Sequence, residues 1–397
     1  MDRQVFSSLY SAAGGVRVGN RNRLRRVVEP ELLMNKNIRV VVGMSGGVDS
    51  SVVASRLLQQ GYEVIGITMR LWPEACQNRV EEKCCGPQAV ADARAVAQQL
   101  GIPHYVMDEQ AQFQRRVIDY FVAEYRAGRT PNPCVLCNEG LKFGALLDKA
   151  RSLGAECVAT GHYAILEHGD RMRVRRGRDE RKDQSYFLFS LSQSQLAHAL
   201  FPMGDITKPE TRAMAAQLGL KVATKEESQE ICFVADDYRR FLRAVGVAEH
   251  AGDIVDSAGR VLGRHSGIEF FTIGQRRGLG IATGRPLYVV AIDAARNRVI
   301  VGDDAALAST ECIVERCNWV SIPAPDQPRE VSVKIRSQHK GSAAVIEPSD
   351  GGARVRVRFA EPERAVTPGQ AAVFYDGDLL LGGGWIARTQ PAQTSNS

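Results

Sequence analysis

No apolar run in this chain approaches the ~20 residues that a membrane-spanning helix requires, and no apolar core of a secretory signal stands near its start. Internal repeats are missing too, so a stacked-repeat architecture is not expected. A strong charge of one sign is also lacking. Of 51 basic and 45 acidic residues, six and three fall within residues 1–33, which leaves an excess of three positive charges over the rest. That balance is compatible with nucleic acid without arguing for it, so local clusters must decide. The nine cysteines are spread through 397 residues, more than a small disulfide-stapled domain would have. They point to a reducing compartment and to reactive or metal-binding thiols.

What is present centres on Ile38-Arg-Val-Val-Val42, followed by Gly43-Met-Ser-Gly-Gly-Val-Asp-Ser-Ser51. The β-branched run reads as a strand buried on both faces. The glycine turn opens a helix over residues 48–60, with Val52, Val53, Leu57 and Leu58 at helical spacing and Gly61 as its stop. Strand, loop and helix together bring free backbone N–H groups and the positive end of a helix dipole to one point, which makes an anion site. Gly46 and Gly47 let a phosphate approach the backbone, and Ser45, Ser50 and Ser51 add hydroxyls. No Gly-Lys-Ser/Thr ending follows, so the lysine of a Walker loop is missing, and no dinucleotide fingerprint occurs. Asp49 would repel a phosphate unless Mg²⁺ lay between them. The pattern Ser45-Gly-Gly-Val-Asp-Ser50 resembles the loop of ATP pyrophosphatases, which split ATP between its α and β phosphates.

Further along, a second buried strand is expected over residues 62–69, a short strand at Tyr105-Val-Met and another strand over 156–160, with helices over 89–100, 113–126 and 141–153. The alternation implies an α/β domain with a doubly wound parallel sheet, whose ligands sit beyond the carboxyl ends of the strands. Residues 70–87, with Cys76, Cys84 and Cys85, and the stretch Thr130–Asn138 read as loops. Arg171–Arg176 alternates as an exposed strand and begins a basic cluster reaching Lys182, fit either for phosphates or simply for solvent. Thr207-Lys-Pro-Glu210 is a capping box that starts a helix. Strand patterns after about Thr310 suggest a C-terminal β-barrel, and Thr389–Ser397 reads as frayed. The division is then 1–33, a disordered head or mis-called start; 34–203, an ATP pyrophosphatase domain with 224–240 carrying a further cysteine; 204–307, a small central domain; and 308–390, the barrel. A mitochondrial transit peptide is the alternative reading of the Arg-rich head in an otherwise cytoplasmic protein.

Cys134-Val-Leu-Cys137 is a C-x-x-C flanked by Pro and Asn, and Cys232 sits in Ile231-Cys-Phe233. Cys157, Cys312 and Cys317 lie in apolar strand patterns and read as small buried hydrophobes. No second C-x-x-C or His pair is spaced for structural zinc, which leaves redox or sulfur-transfer chemistry.

The Ser45–Ser50 loop, Gly128-Arg-Thr-Pro-Asn-Pro133 with Cys137-Asn138, Ala159-Thr-Gly-His-Tyr163, Lys182-Asp-Gln-Ser-Tyr-Phe187, Ile231-Cys-Phe233, Gly274-Gln-Arg-Arg-Gly-Leu-Gly280 and Thr367-Pro-Gly-Gln370 occur in one order. Over residues 38 to 388 that order resembles the tRNA-specific 2-thiouridylases. The resemblance implies ATP-dependent replacement of O2 of the wobble uridine of tRNA by sulfur. It implies ATP held by Gly43, Met44, Ser45, Gly46, Gly47, Val48, Asp49, Ser50, Met69 and Gly161, with Mg²⁺. Persulfide sulfur would come from a donor protein, a cysteine desulfurase or relay protein, onto Cys232, and Cys137 would release it, leaving a Cys137–Cys232 disulfide. Asn132, Pro133 and Cys134 would face the target base; some members carry Asp where Cys134 stands. His162, Lys182, Asp183, Gln184, Arg276, Arg277, Arg336, Ser337 and Gln370 would meet tRNA. The rivals are another adenylating enzyme, such as a tRNA lysidine synthase, and an iron–sulfur cluster held by Cys134, Cys137 and Cys232, with Cys84 or Cys85 as a fourth ligand.

Overall fold

The computed structural model describes residues 38–71, 86–225, 231–234 and 237–391. The head, the cysteines of the 72–85 segment, residues 226–230 and the last six residues lie outside them, and so do the expectations placed on them.

Strand β1 (Arg39–Gly43) runs parallel to β2 (Glu63–Arg70) on one side and β4 (Cys157–Ala159) on the other. With β3 (His104–Asp108) outside β2, and β7 (Ala199–Leu200) outside β4, the five-stranded sheet has the order β3-β2-β1-β4-β7, all parallel. Val40, Val41 and Val42 are wholly buried, as a run apolar on both faces demands in the centre of a sheet covered twice. One face packs on α1 (Val48–Gln59) and α2 (Pro87–Leu100), through Val52, Val53, Ala93 and Val96. The other packs on Leu146, Leu147 and Ala150. The order turns back between β1 and β4, so a crevice opens beyond their carboxyl ends.

Residues 110–126 form one helix, α3, with a wide turn at Gln114–Ile118. Residues 133–152 form α4, with a second wide turn at Asn138–Ala145. The expected loop over Thr130–Asn138 therefore ends early. Pro133 occupies the first helical turn, where its fixed φ and missing N–H are tolerated, so Cys134 and Cys137 ride on a helix, one turn apart. Helix α5 (Lys208–Gln217) begins at the predicted capping box: Glu210 Oε2 accepts from Thr207 N at 2.6 Å. Although the sequence placed residues 204–223 at the head of the central domain, Ala215, Leu220 and Val222 pack into the same core as Val52 and Val53 of α1.

The hairpin of β5 (Ala164–Glu167) and β6 (Arg173–Arg176) leaves the parallel sheet altogether. Helix α6 (Tyr238–Ala244) leads to a four-stranded sheet of β8 (Gly252–Asp256), β9 (Val261–His265), β10 (Tyr288–Asp293) and β11 (Arg298–Gly302), in the order β10-β11-β8-β9. Its core residues Ile254, Val289 and Val299 share a cluster with Phe113, Phe121 and Tyr125 of α3 and with Phe233.

The last strands are β12 (Ala308–Trp319), β13 (Arg329–Lys334), β14 (Ser342–Ser349), β15 (Arg354–Arg364), β16 (Ala371–Asp376) and β17 (Leu379–Pro391). Strand β12 pairs with both β15 and β17, which closes a six-stranded barrel and removes its open edges. The expected fraying from Thr389 is not seen as far as Pro391, where β17 still pairs with β12. The β5–β6 hairpin joins this barrel through β17, with Leu379 opposite Arg175 and Leu380 opposite Val174.

Candidate active site

Beyond β1 and β4 lies a crevice of about 320 Å³. The glycine loop contributes Gly43, Met44, Ser45, Asp49 and Ser50 to its wall; β2 contributes Thr68 and Met69; the segment after β4 contributes Thr160, Gly161 and His162. From α4 come Pro133, Cys134, Cys137 and Lys142, and opposite stand Gln184, Ile231, Cys232 and Phe233. Two thiols from residues ninety-five apart in sequence thus share one hollow with an anion loop.

The loop is built as its composition demands. Gly46 has φ +69, and a Cβ there would lie 2.3 Å from Ala89 O, so the position is closed to any side chain by the backbone of α2. Gly47 is the N-cap of α1 and no side chain caps that end. Ser50 Oγ accepts from Ser45 N at 3.2 Å and donates to Gly47 O at 3.1 Å, which ties the loop onto the first turn. Val48 faces the core instead of the crevice. Lys225 Nζ donates to Gly46 O at 3.2 Å and pairs with Asp92 at 2.6 Å.

The Asp49 side chain is about a third exposed, and one of its oxygens is engaged. Its Oδ1 accepts from Lys208 Nζ at 2.6 Å and from the Tyr163 hydroxyl at 2.9 Å. Lys208 is 7 % exposed. An ammonium therefore stands beside the carboxylate for which the sequence expected Mg²⁺. The lysine missing from the loop is thus brought back from helix α5. Only its place in the first turn of a capped helix marked it, and that is no sign of a partner 159 residues away.

Burial raises the pKa of Cys137, and the Lys142 ammonium, one helical turn further along, pulls against it. Lys142 also went unmarked in sequence; its position five residues after Cys137 becomes informative only once α4 is known to start at Pro133. Burial, then Lys142, hold the pKa of His162 well below the imidazole norm, so its ring is neutral at pH 7. Its Nδ1 lies 2.7 Å from Thr160 Oγ1. The structural cysteines contrast with Cys137. Burial pushes Cys157 up to about 11, and Cys312 and Cys317 up to about 12. Among the described residues no three His, Cys, Asp or Glu side chains gather as a metal-binding set, so Cys134, Cys137 and Cys232 are not arranged as cluster ligands.

The remaining candidates divide. Arg276, Arg277 and Arg336 are exposed and Ser337 is half-buried, all away from the crevice. Lys182 is half-buried. Asp183 turns inward, accepting from Gly177 N at 3.2 Å and Ser185 N at 3.0 Å, and Gln184 accepts from Tyr163 N at 3.2 Å. The basic cluster after residue 171 is largely paired with groups of the protein itself, partly at its surface. Arg171 Nε donates to Val320 O at 2.8 Å, Arg175 pairs with Glu167 and Asp378, Arg176 lies 4.2 Å over the Tyr375 ring, and Arg178 pairs with Glu210. Gln370 and Asn132 hold the turn before α4: Gln370 Nε2 donates to Thr130 O at 3.2 Å and Pro131 O at 2.9 Å, and Asn132 is 7 % exposed.

Residues 38–236 match the family described as tRNA methyl transferase HUP domain. Residues 239–303 match the tRNA methyl transferase PRC-barrel domain, and 309–386 the aminomethyltransferase beta-barrel domain. A tRNA-specific 2-thiouridylase MnmA of Heliobacterium modesticaldum is 51 % identical over 355 residues, 88 % of this chain and 92 % of that one. That of Symbiobacterium thermophilum is 51 % identical over 360 residues, with the same two shares. That of Geotalea uraniireducens is 52 % identical over 371 residues, 91 % of this chain and 98 % of that one.

Proposed function

The chain belongs to the tRNA-specific 2-thiouridylase family, and from that premise we propose that its crevice thiolates C2 of the wobble uridine of tRNA at the expense of ATP. What supports this is that one hollow is lined both by the glycine loop and by Cys134, Cys137 and Cys232. The loop, with Met69 and Gly161, holds ATP, and Lys208 offsets the charge of Asp49 as the phosphates enter. The uridine O2 attacks the α-phosphorus, pyrophosphate leaves, and the base is activated as its O2-adenylate. The terminal sulfur of a Cys232 persulfide then adds to C2, and AMP departs with the O2 oxygen. The Cys137 thiolate attacks the Cys232 sulfur, the base leaves as 2-thiouridine, and a Cys137–Cys232 disulfide remains for an external dithiol to reduce. Displacing a carbonyl oxygen needs activation, a soft nucleophile and a second thiol, and these residues are one of each.

Asn132, Pro133 and Cys134 place the base, with Cys134 standing where some members carry an acid. Extruding an anticodon base costs a few kcal/mol, less from a loop than from a duplex. Arg276, Arg277 and Arg336 grip the phosphate backbone, and Lys182, Gln184 and His162 stand where the nucleoside enters. Residues 34–203 with 224–240 form the catalytic region, to which α5 also contributes; 204–307 and 308–390 carry the grip on tRNA. Magnesium would arrive on the phosphates of ATP. The sulfur comes from a donor protein of the cysteine desulfurase or relay class, and the reducing cytoplasm suits the thiols. Among the described residues no helix is long and apolar enough to cross a membrane.

The test is to incubate the protein with ATP, a persulfide source and tRNA from a strain lacking its gene, and to read pyrophosphate and 2-thiouridine together. Both should appear only when ATP and tRNA are both present. Pyrophosphate without 2-thiouridine would favour lysidine-synthase-like chemistry. Stoichiometric iron after anaerobic purification, lost together with activity in Cys134→Ala, would favour the cluster route.

A further inference from the structure

The turn that precedes α4 is matched to the barrel residue by residue. Thr130 donates its backbone N–H to Pro368 O at 2.9 Å. Gln370 Nε2 donates to the next two carbonyls, Thr130 O at 3.2 Å and Pro131 O at 2.9 Å. Asn132 hydrogen-bonds the Tyr186 hydroxyl, which itself donates to Ala371 O at 3.0 Å. Residues 130, 131 and 132 are thus held by a continuous stretch, 368 to 371. The fit leaves no slack. Gly369 has φ +90, and a Cβ there would lie 2.8 Å from Thr130 O. On the far side, a Cβ at Gly128 would lie 2.7 Å from Ile292 Cγ2 of β10.

One residue beyond this turn, Pro133 opens α4, and Cys134 and Cys137 occupy its first turns. A helix is stiff, so the placement of its first residues decides where those sulfurs stand. A side-chain amide nitrogen has two hydrogens, and both of Gln370's are spent on this turn. The geometry points to Gln370 as a positioning residue for the thiol helix, and to the barrel turn 368–371 as the template that places Cys137 before any tRNA has bound. The inference rests on the reading of Cys137 as the sulfur-releasing thiol.

Two variants test it. Gln370→Met keeps the side-chain length and removes the donors. Tyr186→Phe removes only the hydroxyl, at a residue with no exposed surface and therefore none that tRNA can reach. Alkylation of Cys137 in the tRNA-free protein, followed by peptide mass mapping, should change severalfold in Gln370→Met and in the same direction in Tyr186→Phe. The kcat for thiolation should fall about tenfold or more, as misplaced reacting groups predict, while the Kd for tRNA stays within about twofold. Weaker tRNA binding with unchanged Cys137 alkylation would overturn the inference in favour of a direct tRNA contact. Unchanged alkylation in both variants would overturn it outright. Cys137→Ala is the control: if it still thiolates, the underlying reading fails, whereas an inactive Cys137→Ala beside a wild-type-like Gln370→Met removes this inference alone.

Discussion

Cys137, half-buried, and Cys312, wholly buried, are both thiols whose pKa burial raises, and each borders a hollow. The hollow at Cys312 is the larger, about 630 Å³, on the wall of the barrel. Around Cys312 the neighbouring groups are Glu311 and Cys317, which add to the effect of burial. Beside Cys137 stands Lys142, which opposes it. A thiol among carboxylates and hydrocarbon is locked in its protonated form, whereas one beside an ammonium can be released as thiolate when substrate closes over it. The size of the adjoining space does not separate the cysteine proposed to react from the structural one. The sign of the nearest charge does; the company of a second thiol does not, since Cys312 also has one, Cys317, beside it.

The comparison breaks most sharply under direct replacement. Cys137→Ala and Cys232→Ala should each abolish 2-thiouridine in the tRNA product, read by nucleoside mass spectrometry. Cys312→Ala and Cys157→Ala should thiolate at the wild-type rate; loss of product from a folded Cys312→Ala would erase the distinction.

A similar contrast separates two basic stretches. Arg276 and Arg277 are exposed on a glycine turn, while Arg175 is held between Glu167 and Asp378. Reversing charge at Arg276 and Arg277 together should weaken binding of every tRNA and flatten the slope of log K against log salt by up to about two. Arg175→Met should alter neither. Equal effects from both would mean that internal pairing does not silence a charge here.

The pH dependence is subtler. Because burial raises the Cys137 pKa, single-turnover sulfur release should still be climbing with pH above the ordinary thiol range, following the thiolate fraction. Lys142→Met withdraws the cation that opposes burial, so the profile should move to higher pH and the rate at pH 8 should drop severalfold. A profile displaced to lower pH would contradict the assigned role.

The smallest effect is on stability. Cys312 is 1 % exposed in the barrel core, so Cys312→Ala leaves a small cavity and should cost about 1–2 kcal/mol in urea denaturation, with activity intact. Cys137→Ala, at the edge of an open crevice, should cost less.

The sequence carried β1, the glycine loop and α1 in full, because a buried parallel strand and the turn after it are local patterns. The crevice beyond β1 and β4 followed from alternation alone. Lys208 and Lys142 did not, since a lysine's partner is decided by packing, and Asp49 is 159 residues from Lys208. The start of α4 was placed too late because Pro, Asn and two cysteines resemble a loop until Pro133 is taken as an opening residue. The arginines after residue 171 were legible as fit for phosphates or for solvent but not as internally paired, because their acidic and aromatic partners lie as far off as Asp378 and Tyr375.

The stitching of β6 to β17 has a consequence for how the molecule is made. Arg175 and Asp378 are 203 residues apart, and at roughly 5–20 residues per second a ribosome needs some ten to forty seconds to travel between them. Until β17 emerges, the β5–β6 hairpin has an unpaired edge and the 368–371 turn is not yet there to seat the thiol helix. The nascent enzyme can therefore form its nucleotide loop well before its cysteines are in place. Pairings this distant in sequence are slow to close, so the late barrel, not the early sheet, should limit the birth of activity.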